Sequence, residues 1–182
     1  MAGTNSNEAT AVILQPNYLP WKGYFDQISQ ADIFVFFDDV QFTSKSWRTR
    51  NRLLGSQGEF WLSVPVKKAP RTALIREICI DNSYPWQQKH LEAIRNTYAG
   101  TEHADEVESI CQAIFVGRSW ESLLELNVHS TQVLSSYLGL HPTWYLSSSL
   151  DCTGSREGSR ALEILSRVGA THLLNGPSAR DF

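Results

Sequence analysis

Five groups of residues in this sequence have the types and spacing to do chemistry. The first is Gln15, Asn17, Tyr18, Trp21, Gly23 and Tyr24 in the stretch ILQPNYLPWKGYFD. An apolar run leads into a proline-stiffened turn and then a helix start, a favoured place for phosphate or carboxylate groups. It lacks the glycines and the Lys-Ser/Thr pair of a P-loop, and it is not GxGxxG. The alternative is a purely structural turn. The second group is Asp38 and Asp39 with Gln41, at the end of the apolar run IFVFF. Adjacent acids there could hold Mg²⁺, orient a hydroxyl or act as a general base, and in a strand only one of the two faces a given side. One acid capping a turn and the other pairing with an arginine is the competing structural account.

The third group is Lys45, Trp47, Arg48, Arg50, Asn51 and Arg52. In an extended strand Arg48, Arg50 and Arg52 share one face, while Trp47, Asn51 and Leu53 share the other. Three guanidinium groups on one face suit phosphate or carboxylate. Arg with Trp also suits nucleic acid. The fourth group is His90, with Trp86 and Lys89, together with Asn127 and His129: a base and its partner, or structural histidines. The fifth is Ser147, Ser148 and Ser149, then Gly154, Ser155 and Arg156, then the run Asn175 to Arg180. Their hydroxyls, amides and Arg160 or Arg180 could hold a second anionic group. None of the five histidines lies in an HxH or HExxH pattern, so no zinc or other metal site is assigned. No GxSxG is present.

These residues must be placed by a fold, and the fold is legible as α/β. Ala11–Leu14 and Ile33–Phe37 are apolar without alternation, as in parallel strands buried on both faces. Between them residues 21–30 carry Trp21, Tyr24, Phe25 and Ile28 on one helical face. Strand, loop, helix, strand is a βαβ unit with a right-handed crossover. Ligands in such sheets sit beyond the carboxyl ends of the strands, where both QPNYLPW and DDVQF are expected. Residues 47–54 and 60–66 flank Gly55-Ser56-Gln57-Gly58 and predict a β-hairpin. Lys67–Thr72 is a basic, proline-bearing loop, and the alternation in 74–80 (LIREICI) predicts a further strand. Helices follow over 85–99, 104–115 and 119–138, the last ended by Gly139. A strand over 142–146, an amphipathic helix over 156–168 and a strand over 171–174 complete the chain. The expected fold is a mostly parallel, Rossmann-like open sheet with an inserted β-hairpin and a three-helix segment. Residues 1–10 are expected to be a disordered leader and 11–182 one domain. A doubly wound domain would follow the last strand-end loop with a helix, so the sequence is expected to be truncated at its C-terminus.

Composition narrows the function. A net charge of −3 and a pI near 5.9 leave no general basic surface, so a nucleic-acid partner is disfavoured and any cationic site is local. Three cysteines without CxxC spacing suggest reduced thiols in the cytoplasm. No apolar run approaches the roughly 18 residues that span a bilayer. Nothing in the sequence sets an oligomeric state.

The segments ILQPNYLPWKGYFD, FVFFDDVQFTSKSWRTRNR, LSVPVK, IDNSYPWQQKHL, LNVHS and GATHLLNGPSARDF occur in an order that resembles the WbqC-like family of surface-polysaccharide and O-antigen gene clusters. The resemblance covers the chain from Ala11 onward, and the first two segments are its most specific. It implies a cytosolic protein that helps build or decorate a sugar precursor. By position it points to Gln15, Asn17, Tyr18, Asp38, Asp39, Gln41, Arg48, Arg50, Asn51, His90, Asn127, His129 and Arg180.

The expectation drawn from both lines is a group-transfer enzyme acting on a sugar nucleotide or amino sugar. His90, Asp38 and Asp39 would be catalytic, and the other residues of that set would bind a small phosphorylated substrate, with Mg²⁺ as a possible cofactor. Two alternatives stay open: a non-catalytic small-ligand or nucleic-acid binding module using Lys45–Arg52, and a nucleotidylyltransferase-like enzyme. The latter departs from the pattern at Gly23-Tyr24, where an HxGH-type motif would put His after Gly.

Overall fold

A computed structural model describes residues 8–154 and 157–176. The elements in chain order are β1 (Thr10–Leu14), α1 (Lys22–Ser29), β2 (Ile33–Phe36), β3 (Arg50–Gly55), β4 (Gly58–Ser63), α2 (Trp86–Tyr98), α3 (Ala104–Phe115), α4 (Leu123–Tyr137), β5 (Thr143–Leu146), α5 (Glu157–Val168) and β6 (His172–Leu173). They fall into two compact units. One is built from residues 8–15, 21–38 and the described residues from 140 onward; the other from 16–20 and 39–139.

The first unit is a four-stranded parallel sheet in the order β5-β2-β1-β6. Counted within the unit, that is 3-2-1-4, the first four strands of the Rossmann order, with its switch point between β1 and β6. The apolar runs without alternation form the two central strands, β1 and β2. Ala11, Val12, Phe34, Val35 and Phe36 are buried, and Tyr24 and Ile28 of α1 are buried with them. Phe36 stacks on Trp144 of β5 at 5.5 Å between centroids. Of the expected leader, Thr10 is already the first residue of β1, and its N–H donates to Asp32 at 2.8 Å.

The second unit holds the antiparallel hairpin β3–β4 and helices α2, α3 and α4 around one apolar core. Gly58, with φ +107°, closes the hairpin turn that the glycine pair predicts. Trp86, Leu91 and Ile94 of α2 and Cys111, Ile114 and Phe115 of α3 fill the core. Burial pushes the Cys111 thiol up to about 11. Arg95 of α2 forms a two-pronged ion pair with Glu108 of α3.

Two expectations are corrected. LIREICI is not a strand: Ile75–Glu77 is one 3₁₀ turn, flanked by three isolated bridges, Gln41 with Leu74, Cys79 with Ser122 and Val66 with Ile80. Ile75, Ile78 and Ile80 are all buried, and a 3₁₀ turn puts residues three apart on one side. Glu77 fixes the turn by accepting the Leu74 N–H at 2.8 Å. The helix expected from Ser119 starts at Leu123. Residues 121–123 are held extended first, through Ile80 N–H to the Glu121 carbonyl and Leu123 N–H to the Ile78 carbonyl. Ser122 then caps α4 by accepting the Glu125 N–H.

Candidate functional site

Pro16–Pro20 belongs to the second unit, and several of the polar residues singled out by the sequence converge on it. Tyr18 is fully buried. Its hydroxyl lies 2.7 Å from Nδ1 of His90, and its N–H donates to the Trp47 carbonyl at 2.9 Å. The Asn51 amide donates to the Leu19 carbonyl at 2.5 Å. The Asn127 amide donates to the carbonyls of Pro16 at 3.3 Å and Arg48 at 2.9 Å. Asn17 is buried beside them, and neither its Oδ1 nor that of Asn127 has a hydrogen-bond partner. Leu19 has φ +42°, a left-handed conformation that costs a leucine about 1–2 kcal/mol. The surrounding bonds over-determine that strain.

His90 is locked in this network. Its Nδ1 lies within hydrogen-bonding distance of the Tyr18 hydroxyl, and the ring also interacts with the Ser63 backbone. Burial lowers its pKa to about 4, the Ser63 bond opposing the shift, so the ring is neutral at pH 7. Burial also holds the Tyr18 hydroxyl well above its ordinary pKa, so it remains a donor. His129 is half-buried, donates to the Ala113 carbonyl at 3.0 Å and packs on Trp120.

In the first unit, Gln15 follows β1, and its carbonyl accepts the Tyr24 hydroxyl at 3.1 Å. Asp38 follows β2 and is fully buried. Its Oδ1 accepts from Ser147 Oγ at 3.0 Å and Ser148 N at 3.0 Å, and its Oδ2 accepts from Ser148 Oγ at 2.7 Å. The Asp38 N–H donates back to Ser147 Oγ. The serines expected to hold an anionic ligand therefore hold a carboxylate of the protein, tying the end of β2 to the end of β5. Among the described residues no three His, Cys, Asp or Glu side chains come together in a way that could hold a metal ion. Asp39, in the second unit, is half-buried. Gln41 donates through Nε2 to the Arg71 carbonyl at 2.6 Å. Arg180 lies outside the described residues.

The hairpin carries a surface of another kind. Its register sets Arg50 opposite Ser63, Arg52 opposite Trp61 and Leu54 opposite Glu59. The Arg50 guanidinium lies 4.2 Å from the centre of the Trp61 ring, and that of Arg52 5.5 Å. Trp47 joins them, its ring 5.7 Å from Trp61. Both indoles are exposed, Trp47 at 39% and Trp61 at 45%. Arg52 is also paired with Glu59 at 2.5 Å. The three-arginine face is thus corrected. β3 begins at Arg50, so Arg48 sits in the preceding turn, and those turns bring Trp47 to the arginine side. Trp61 was not among the residues singled out by type and spacing, although the four-residue Gly55–Gly58 turn, read as a register, already sets it across from Arg52.

An exposed indole with two guanidinium groups over it and a second indole beside it can stack a planar base or the apolar face of a sugar and hold a phosphate beside it. Independently, the sheet order of the first unit is one that accommodates nucleotides at its switch point. No helix among the described residues is long and apolar enough to cross a membrane.

Comparison with known proteins places the chain in a family. The model of the WbqC-like protein family matches residues 15–182. The chain is 36% identical over 174 residues to the uncharacterized protein Rv1507c of Mycobacterium tuberculosis, covering 93% of this chain and 73% of that protein. No solved structure matches significantly.

Proposed function

Because the chain belongs to the WbqC-like protein family, we propose that it is a cytoplasmic group-transfer enzyme acting on a sugar nucleotide or amino sugar in surface-polysaccharide (O-antigen type) precursor biosynthesis. The observation that carries this reading is the Arg50 guanidinium over the exposed Trp61 ring, with Trp47 beside it. In this reading the indoles take the base or sugar ring and Arg50 takes a phosphate. Arg52 contributes less, since Glu59 already engages it. Of the residues expected to be catalytic, His90 and Asp38 are positioning residues, one neutral and paired with the buried Tyr18 hydroxyl, the other saturated by serine donors.

The same surface supports a second reading, a non-catalytic module in which the two indoles stack successive bases of a single-stranded nucleic acid. The net charge of −3 and the Arg52–Glu59 pair weigh against it. Titration with nucleotide sugars and with a short single-stranded RNA, each at two salt concentrations, separates the two. A sugar nucleotide should bind at one site through Arg50 and Trp61, whereas RNA affinity should fall steeply with salt.

A further inference from the structure

The loop from Lys67 to Thr72 is the common wall of two clefts in the second unit. One of them, of about 570 Å³, is lined by three cations (Lys67, Lys68 and Arg71), the hydroxyls of Thr43 and Ser44, and Gln41. Phe42 and Val66 add a half-buried apolar part, and no carboxylate lines it. Three positive charges and no negative one around a cleft are notable in a protein with a net charge of −3. The cleft across the loop is different, since Glu77 and Cys79 line it beside Lys67 and Lys68.

The cations are exposed, and the backbone that carries them is fixed. Lys67 N–H donates to the Cys79 carbonyl at 2.9 Å, and Ala73 N–H to the Pro70 carbonyl at 3.0 Å. Phe42 N–H donates to the Ala73 carbonyl at 2.9 Å, and Gln41 reaches the Arg71 carbonyl with its side chain. Pro70 stiffens the loop further. Lys67 also feels the Asp81 carboxylate, whereas Lys68 and Arg71 make no ion pair among the described residues. Cations on a pinned backbone lose less freedom on binding than cations on a mobile one. Arg adds a planar fork of donors that matches phosphate.

We propose that this cleft binds a diphosphate-bearing small molecule, with Lys67, Lys68 and Arg71 on the phosphates and Thr43 and Ser44 donating to them. Gln41 is a positioning residue that holds Arg71 in place. Arg50, Arg52 and Trp61 do not line this cleft, so the site is separate from the hairpin surface and does not depend on its function.

Inorganic pyrophosphate titrated into the full chain at physiological ionic strength, followed by calorimetry, tests this. Saturable one-site binding is expected, weakened roughly tenfold or more when Lys68→Ala and Arg71→Ala are combined. Gln41→Ala should weaken it while leaving the charge intact. Lys22→Ala should leave it unchanged, and circular dichroism should show every variant folded. Absence of saturable binding would overturn the proposal, as would equal affinity for sulfate or an equal loss in Lys22→Ala. A loss confined to Arg50→Ala would assign the phosphates to the hairpin surface instead.

Discussion

The Tyr18 hydroxyl and Nδ1 of His90 lie 2.7 Å apart, 72 residues from each other in the chain, and both side chains are buried. The His90 ring also interacts with the Ser63 backbone at the end of β4. One neutral imidazole thus links the Pro16–Pro20 loop, α2 and the hairpin.

This arrangement makes stability depend on acid in a defined window. The folded pKa of His90 is about 4, below the ordinary 6.5 of an unfolded chain. Its contribution is therefore fully present above pH 6.5 and is lost as the pH falls towards 4, because the unfolded chain binds the extra proton there. The full shift corresponds to about 3 kcal/mol. Urea unfolding at stepped pH should show this decline, and His90→Gln should flatten it. An unchanged slope in the variant would place the acid sensitivity elsewhere.

Removing only the hydroxyl tests the other half of the pair. Tyr18→Phe leaves the His90 acceptor buried and unpaired and should cost about 1–3 kcal/mol. Asn127→Ala abandons two carbonyls, of Pro16 and Arg48, and should cost at least as much. Because both anchor the same loop, the double variant should lose less than the sum, which a double-mutant cycle of unfolding free energies would measure.

The sequence was most readable where one local pattern decides the structure. Apolar runs marked β1 and β2, and the Ala104–Phe115 helix carries its own periodicity from end to end. LIREICI misled because its alternation was real but served a turn that buries three isoleucines. QPNYLP was open for a different reason. A proline-stiffened turn after a strand looks the same whether it meets a ligand or a buried histidine 72 residues on, and only the long-range fold decides. Likewise, three serines near a sheet edge do not reveal that Asp38 will claim two of them. Arg50 was legible as a surface cation, but its indole partner required the hairpin register.

Asp38 and Ser148 give a local test in the first unit. Asp38→Ala removes the acceptor for three donors and should destabilise by about 2–4 kcal/mol, whereas Ser148→Ala removes one donor and should cost about 1 kcal/mol. Thermal unfolding of both variants would check the order. Equal, negligible losses would show that the carboxylate is not holding the ends of β2 and β5.

The Arg52–Glu59 pair should matter little to the fold. It is surface-exposed, and Arg52→Ala is expected to change stability by less than about 1 kcal/mol. A larger loss in chemical denaturation would mean that the hairpin depends on this pair, and ligand data from arginine variants would then need correction for unfolding.

The most direct measurement is a calorimetric titration of the full chain with a panel of nucleotide sugars, repeated on Arg50→Ala and Trp61→Ala. The account predicts one-site binding of at least one sugar nucleotide. Affinity should fall roughly tenfold or more in Arg50→Ala, and by the equivalent of about 1–3 kcal/mol in Trp61→Ala, while both variants keep the wild-type melting temperature. Sugar-nucleotide binding that both variants retain in full would contradict it, as would binding of single-stranded RNA alone with a steep dependence on salt.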